Sequence, residues 1–271
     1  MKCFRYTIIA IFFLLMATIL SAYALDNRTA DLKREIWDKG LSNKGRIDAI
    51  RELFTSDSET AFHELEKIVR SSENDELRLI ATTYLGRYKE ARIKSIIIAL
   101  LKDRSRSVRE EAVNIAGSLR IKESYTQLVE LLNDESSLVR IASIMALGNI
   151  GNKDGLQKLV AILDGSDTLA KLAAIPSIEL ILCQIESVQK PVLDKVISRL
   201  DDPNEEVRKK ACYFVNEFID GKSLCLSEQN ALQRVAMMMN LKTIVWSIDM
   251  KRVTCKELIT NFDEDINHGK K

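Results

Sequence analysis

Histidine is almost missing from this chain: two residues in 271, at positions 63 and 268. General acid–base chemistry built on imidazole therefore has little to work with. Proline is as scarce, with three residues, and aromatic residues make up 6 %. Neither charge dominates, at 40 basic against 39 acidic residues. A near-neutral chain without a clustered basic face lacks the electrostatic footprint of a nucleic-acid binder. No CxxC pair occurs among the five cysteines, so a zinc site of that kind is excluded, and HExxH, P-loop and GxGxxG motifs are absent too. The single His63-Glu64 pair is too little for a metal centre, which needs several converging ligands. The reading is of no metal, no cofactor and no catalysis.

The first residues are of a different kind. Lys2 and Arg5 precede an apolar run from Thr7 to Leu20, and Ala22-Tyr23-Ala24 then places small residues where a signal peptidase reads them. This pattern predicts a secretory signal peptide over residues 1–24, cleaved near Ala24, rather than a retained anchor; a spanning helix needs about 20 apolar residues. The remaining chain has 38 basic and 39 acidic residues, a formal charge of −1. It is expected in the periplasm or outside the cell, meeting a membrane only during export. Four cysteines stay: Cys183, Cys212, Cys225 and Cys255. An oxidising destination permits disulfides, and four cysteines allow three pairings. Cys183 and Cys212 lie in apolar helical patterns and read as small buried hydrophobes. Cys225 and Cys255, in the irregular C-terminal region, are the candidate pair.

What the chain has in abundance is self-similarity. An apolar–basic dipeptide recurs as Leu77-Arg78, Val108-Arg109, Val139-Arg140, Ala170-Lys171 and Val207-Arg208, at steps of 31, 31, 31 and 37 residues. Three residues before each mark stand Asn74, Ser105, Ser136, Asp167 and Asn204, all strong helix N-caps. Three residues after each basic residue stand Ala81, Ala112, Ser143, Ala174 and Ala211, small enough for helices to approach closely. Gly86, Gly117 and Gly148 are expected to end the first three of these helices in left-handed caps. Second helices follow at about Ala91–Leu101, Glu123–Leu132 and Asp154–Leu163. Helical pairs that cannot bury their apolar stripes alone stack into a solenoid. Pro176 falls inside the fourth capped helix, and the 37-residue step inserts six extra residues near "ELILCQIESVQKP".

A weaker pair, "KGRIDAIRELF" and "ETAFHELEKIV", precedes these units, and a helix from about Thr29 to Lys39 covers the start of the core. Downstream, "SEQNALQRVAMMMN" reads as a helix; residues 243–248 read as strand or helix, and 255–262 as a last helix before a polar tail. The predicted organisation is a signal peptide (1–24), an N-terminal capping helix (25–44), helical repeats (45–219) and a C-terminal capping region with the tail (220–271).

The segments "DRSRSVREEAVNIAGSL", "DESSLVRIASIMALGNIG" and "DDPNEEVRKKACYFVNEF" resemble the HEAT-repeat family, in the short form of the phycobilisome-lyase-like repeats. The resemblance covers about residues 45–219. It implies an all-α fold, a right-handed alpha-alpha superhelix of about five helical pairs. It also implies that the basic column Arg78, Arg109, Arg140, Lys171 and Arg208 pairs with turn residues such as Asp103, Asp134 or Asp202 and locks neighbouring repeats. An anion-binding ladder is the less favoured alternative. In this family the capped helix lines the concave side. Positions one and five after each mark then face outward: Leu79 and Thr83, Glu110 and Asn114, Ile141 and Met145, Leu172 and Pro176, Lys209 and Tyr213. Several are apolar, so they line either a groove for a protein or peptide partner or, with the helix phase shifted by one, the core. The functional reading is an exported, non-catalytic scaffold that binds a protein or peptide on its concave face. A lyase-like or accessory enzyme, and a self-associating envelope-assembly factor, are the alternatives.

Overall fold

The structure, a computed structural model, describes residues 2–185 and 190–219. Every regular element among them is helical. Cys225, Cys255 and the predicted segments beyond residue 219 lie outside the described residues. The chain divides into two compact units, Met1–Glu111 and Ala112–Lys271, with the boundary inside one helix.

The first unit contains α1 (Lys2–Trp37), α2 (Asn43–Ser56), α3 (Ser58–Ser71), α4 (Asp75–Leu85), α5 (Glu90–Leu100) and the start of α6 (Arg106–Ser118). α1 is longer than the expected Thr29–Lys39 because no residue breaks it at Ala24. Its two parts differ in packing. Leu14, Leu15, Ile19, Leu20, Tyr23 and Leu25 are exposed, whereas Thr29, Leu32 and Ile36 are buried. Docking starts at Arg28, whose guanidinium meets both Glu52 carboxylate oxygens at 2.7 Å and Glu35 at 2.8 Å. Leu32 and Ile36 join Ile50 and Leu53 of α2, Leu65 and Ile68 of α3, and Leu77 and Leu85 of α4 in the core. An aromatic clasp ties the ends of these helices. Phe54 lies 4.7 Å from Tyr84, Phe62 lies 5.0 Å from Tyr88, and Arg92 sits 3.6 Å above the Phe62 ring. Arg92 is also held by both carboxylate oxygens of Glu59, at 2.6 and 2.7 Å. Arginine over a ring pins two elements with one side chain, by stacking and by hydrogen bonding.

The second unit contains the rest of α6, then α7 (Tyr125–Leu131), α8 (Ser137–Ile150), α9 (Lys153–Ile162), α10 (Thr168–Ile185), α11 (Lys190–Ile197) and α12 (Glu205–Ile219). Short 3-10 turns, Lys122–Ser124 and Ser198–Asp201, precede α7 and α12. α8 packs on α10, and α10 on α12. The small column is fully buried: Ala112, Ser143, Ala174 and Ala211 here, and Ala81 in the first unit, have no accessible surface. Three of the five predicted caps bind through their side chains. Asn74, Asp167 and Asn204 accept the backbone N–H of Leu77, Ala170 and Val207 at 3.0, 3.1 and 3.2 Å. Ser136 occupies its N-cap without a side-chain bond.

The glycines act otherwise than expected. Gly86 ends α4, but in a right-handed conformation with φ −59°. Gly117 and Gly148 lie inside α6 and α8, at contacts with no room for a side chain. A Cβ on Gly117 would stand 2.8 Å from Ala146, and one on Gly148 would stand 2.7 Å from the Ser177 Cβ. The left-handed positions belong to Arg120 and Gly151, at φ 52° and 74°. Ile121 N–H reaches back to the Ala116 carbonyl at 2.9 Å, closing α6 in the six-to-one pattern that needs a left-handed residue just before it. Gly117 and Gly148 thus mark helix contacts, while Gly86 ends its helix.

Candidate functional site

The basic column is a structural clasp. Arg78 Nε and Nη2 meet the two Asp103 carboxylate oxygens at 2.9 and 2.8 Å, and Nη2 also meets Asp75 at 2.8 Å. Arg140 reaches Asp167 at 3.0 Å, and Lys171 reaches Asp202 at 2.8 Å. The aspartates stand at positions 103, 134 and 202, but Gly165 replaces the one in between. Asp167, two residues on, therefore both caps α10 and receives Arg140. Each arginine also donates to the carbonyl six residues before it: Arg78 to Ser72, Arg109 to Asp103, Arg140 to Asp134 and Arg208 to Asp202. Burial alone would push the Asp103 and Asp202 carboxyls up. The Arg78 and Lys171 donors, with the backbone N–H of Ser105 and Asn204, hold both below the ordinary carboxylate value. Asp167 is held low first by the Ala170 N–H and then by Arg140.

The outward positions are outward. None of Leu79, Thr83, Glu110, Asn114, Ile141, Met145, Leu172, Pro176, Lys209 and Tyr213 is buried. The helix phase is therefore the predicted one, and these residues are not core. In the first unit the α4 positions are Leu79, half-buried, and Thr83, exposed. On α8 and α10 the character is apolar. Met145 is 53 % exposed, and Ile141, Leu172 and Pro176 are half-buried. The strip is longer than the sequence reading found. Leu138 (50 %), Leu169 (57 %) and Leu180 (43 %) extend it. They follow the same i, i+3, i+7 spacing, Leu138-Ile141-Met145 and Leu169-Leu172-Pro176-Leu180, which was available in the sequence. Tyr213 and Lys209 continue the register on α12, where Lys209 binds Glu205 at 2.9 Å.

A crevice of about 550 Å³ opens in the first unit between the ends of α3 and α5, floored by Val69, Ile96 and Leu100 and rimmed by Arg70, Arg78 and Arg104. Its arginines are engaged by carboxylates. Arg70 meets Glu66 at 2.9 Å, Arg78 meets Asp103, and Arg104 meets Glu73 at 2.8 Å. Among the described residues no group of three or more His, Cys, Asp or Glu is placed to hold a metal ion, and no helix is long and apolar enough to cross a membrane. Exposed His63 lies 3.7 Å from Glu59.

Cys183 on α10 and Cys212 on α12 are both disulfide-bonded, which corrects their reading as small buried hydrophobes. Their two helices pack against each other, a proximity that sequence spacing does not show.

No curated protein matches the chain by sequence. Among solved structures, E. coli YibA superimposes with a TM-score of 0.51 at 21 % identity, over 75 % of this chain and 76 % of its own. A designed armadillo repeat protein in complex with a (KR)4 peptide gives 0.49 at 20 % identity, over 69 % of this chain and 97 % of its own. The CpcE–CpcF complex of phycocyanin lyase from a Nostoc species gives 0.48 at 20 % identity, over 58 % of this chain and 64 % of its own. Residues 93–179 match the family model for HEAT repeats, and the fold of the described residues is that of an all-α repeat solenoid.

Proposed function

We propose that this protein is an exported, non-catalytic repeat scaffold that holds an apolar segment of another protein on the face formed by α8 and α10. The observation that carries this reading is the strip itself. Eight outward positions on the two helices (138, 141, 145, 149, 169, 172, 176 and 180) hold no charged residue, and seven of them are apolar. An exposed, contiguous apolar surface rimmed by polar groups marks an interaction site in a soluble domain. In the family resemblance this is the concave side. A rigid helical face offers shape and apolar contact without ordering cost on its own side.

Export is supported by the packing of α1. Residues 14–25 are exposed and docking begins at Arg28, so cleavage after Ala24 removes none of the side chains whose burial the described residues show. Disulfide-bonded cysteines suit an oxidising compartment. The lyase-like alternative draws on the repeat resemblance alone.

The test is affinity capture from the native envelope fraction, with the full chain and its Ile141→Asp/Met145→Asp variant as parallel baits. Both are expected to fold by circular dichroism, because neither side chain is buried. The wild type should retain a protein that the variant loses, and the bait recovered from the envelope should begin at Leu25. Equal capture by both baits would refute the strip, and a full-length cytoplasmic product would refute export.

A further inference from the structure

In the second unit α10 packs against α8 on one side and α12 on the other, and the two interfaces are built differently. At the first, Gly148 meets Ser177 so closely that a Cβ would stand 2.7 Å from the serine Cβ. The repeat register carries Gly148 to Glu179 and Ser177 to Phe214 at the second. There the two small residues are replaced by two large ones, and Phe214 is buried. The glycine contact that closes α8 on α10 is therefore unavailable between α10 and α12. This interface also follows the six-residue insertion, and it replaces the arginine of earlier repeats with Lys171, a point charge in place of a two-pronged fork. It is here that Cys183 and Cys212 are disulfide-bonded. Cys212 is fully buried and Cys183 half-buried, one residue before Gln184, whose amide donates to the Gly148 carbonyl at 3.1 Å.

We infer that Cys183 and Cys212 are bonded to each other and form a redox latch, which substitutes for the missing glycine contact and seats α12 on α10. Closing it removes two protons and two electrons from the thiol pair. An oxidant of the protein- or small-molecule-disulfide class accepts them and leaves as the dithiol. Opening runs the other way. A thiolate of an external dithiol attacks the sulfur of Cys183, the less buried of the two residues, and expels Cys212 as the thiolate; the second thiol of the reductant then resolves the mixed disulfide. A reducing compartment keeps the latch open, and an oxidising one closes it. Tyr213, next to Cys212, and Lys209, one turn earlier, move with α12, so the latch also sets whether they stand beside the apolar strip. The latch does not depend on the identity of any partner, and its test uses none.

Peptide mapping of the full chain without reductant should recover one linked pair, Cys183 with Cys212. That pair should persist in the Cys225→Ser/Cys255→Ser variant. Linkage of either residue to Cys225 or Cys255 would overturn the assignment. Amide hydrogen exchange is then followed over residues 205–219 with and without dithiothreitol. Reduction should speed exchange in α12 by tenfold or more and leave α8 unchanged. Equal rates in α12, or equal acceleration of α8, would overturn the latch. The Cys183→Ser/Cys212→Ser variant should behave as the reduced wild type. Should that variant not fold, reoxidation of reduced wild type, which should restore slow exchange in α12, reads the same equilibrium without any substitution.

Discussion

Lys171 and Asp202 have 9 % and 1 % of their side chains exposed and meet at 2.8 Å. A pair this buried contributes little net stability over an apolar pair of the same volume, but removing one partner strands the other charge. Asp202→Asn is therefore expected to cost about 3 kcal/mol in urea unfolding, and Lys171→Met/Asp202→Leu far less than that. The carboxylates of Asp103, Asp167 and Asp202 all sit below their ordinary value in the folded state. Their stabilisation is fully present above the unfolded aspartate value of about 4 and is lost as pH falls through the lower folded values. The urea midpoint should hold steady from neutral pH down to about 5 and then decline, and Asp202→Asn should shrink that decline. A midpoint that rises on acidification would contradict the clasp.

At the scale of helices, the instructive residue is Gly148. Alanine favours a helix interior over glycine by about 1 kcal/mol, so propensity alone makes Gly148→Ala stabilising. The Ser177 backbone and Cβ within 3 Å make it destabilising, since α8 and α10 must separate. Overpacking of this kind costs about 1–3 kcal/mol, and thermal melts should show the loss. A gain on substitution would mean that α8 and α10 do not meet at this glycine. The same comparison separates a contact glycine from a capping one. A glycine late in an apolar helical stretch is the usual mark of a left-handed cap, and only the neighbouring helix reveals that Gly117 and Gly148 are contact points. The Cys183 latch belongs to this scale too. It closes a loop of about 30 residues, which in the chain-entropy account is worth roughly 3–4 kcal/mol. No spacing rule pairs cysteines on two helices separated by an insertion, so its recognition waited for the packing of α10 on α12.

For the molecule as a whole, the 31-residue register was legible because three columns (caps, apolar–basic marks and small residues) agree with one another. Helix limits followed closely: Glu90–Leu100 and Lys153–Ile162 lie within one residue of expectation. The outward face was legible for the same reason, since one fixed mark sets the phase of every first helix. The continuity of α1 through Ala24 was not, because a cleavage pattern concerns recognition by a peptidase and says nothing about helix propensity. Leu138, Leu169 and Leu180 lie one helical turn beyond the predicted outward positions, on the same face, so the same spacing reaches them.

The turn aspartates look both ways along the chain. The Asp103 carboxylate receives Arg78 while its carbonyl receives Arg109, and the Asp202 carboxylate receives Lys171 while its carbonyl receives Arg208. These two turns thus act as couplings with a plug on one side and a socket on the other, each able to accept a repeat that presents the same ends. Such a chain can grow or shrink in whole quanta, as solenoids governed by nearest-neighbour contacts do. A tandem copy of Ser137–Asp167 inserted after Asp167 places Asp167 as the cap of the copied α8 and gives the copied Arg140 an aspartate of its own. That longer protein should fold with a single cooperative transition and added helical circular-dichroism signal, whereas a copy shortened by one residue should not.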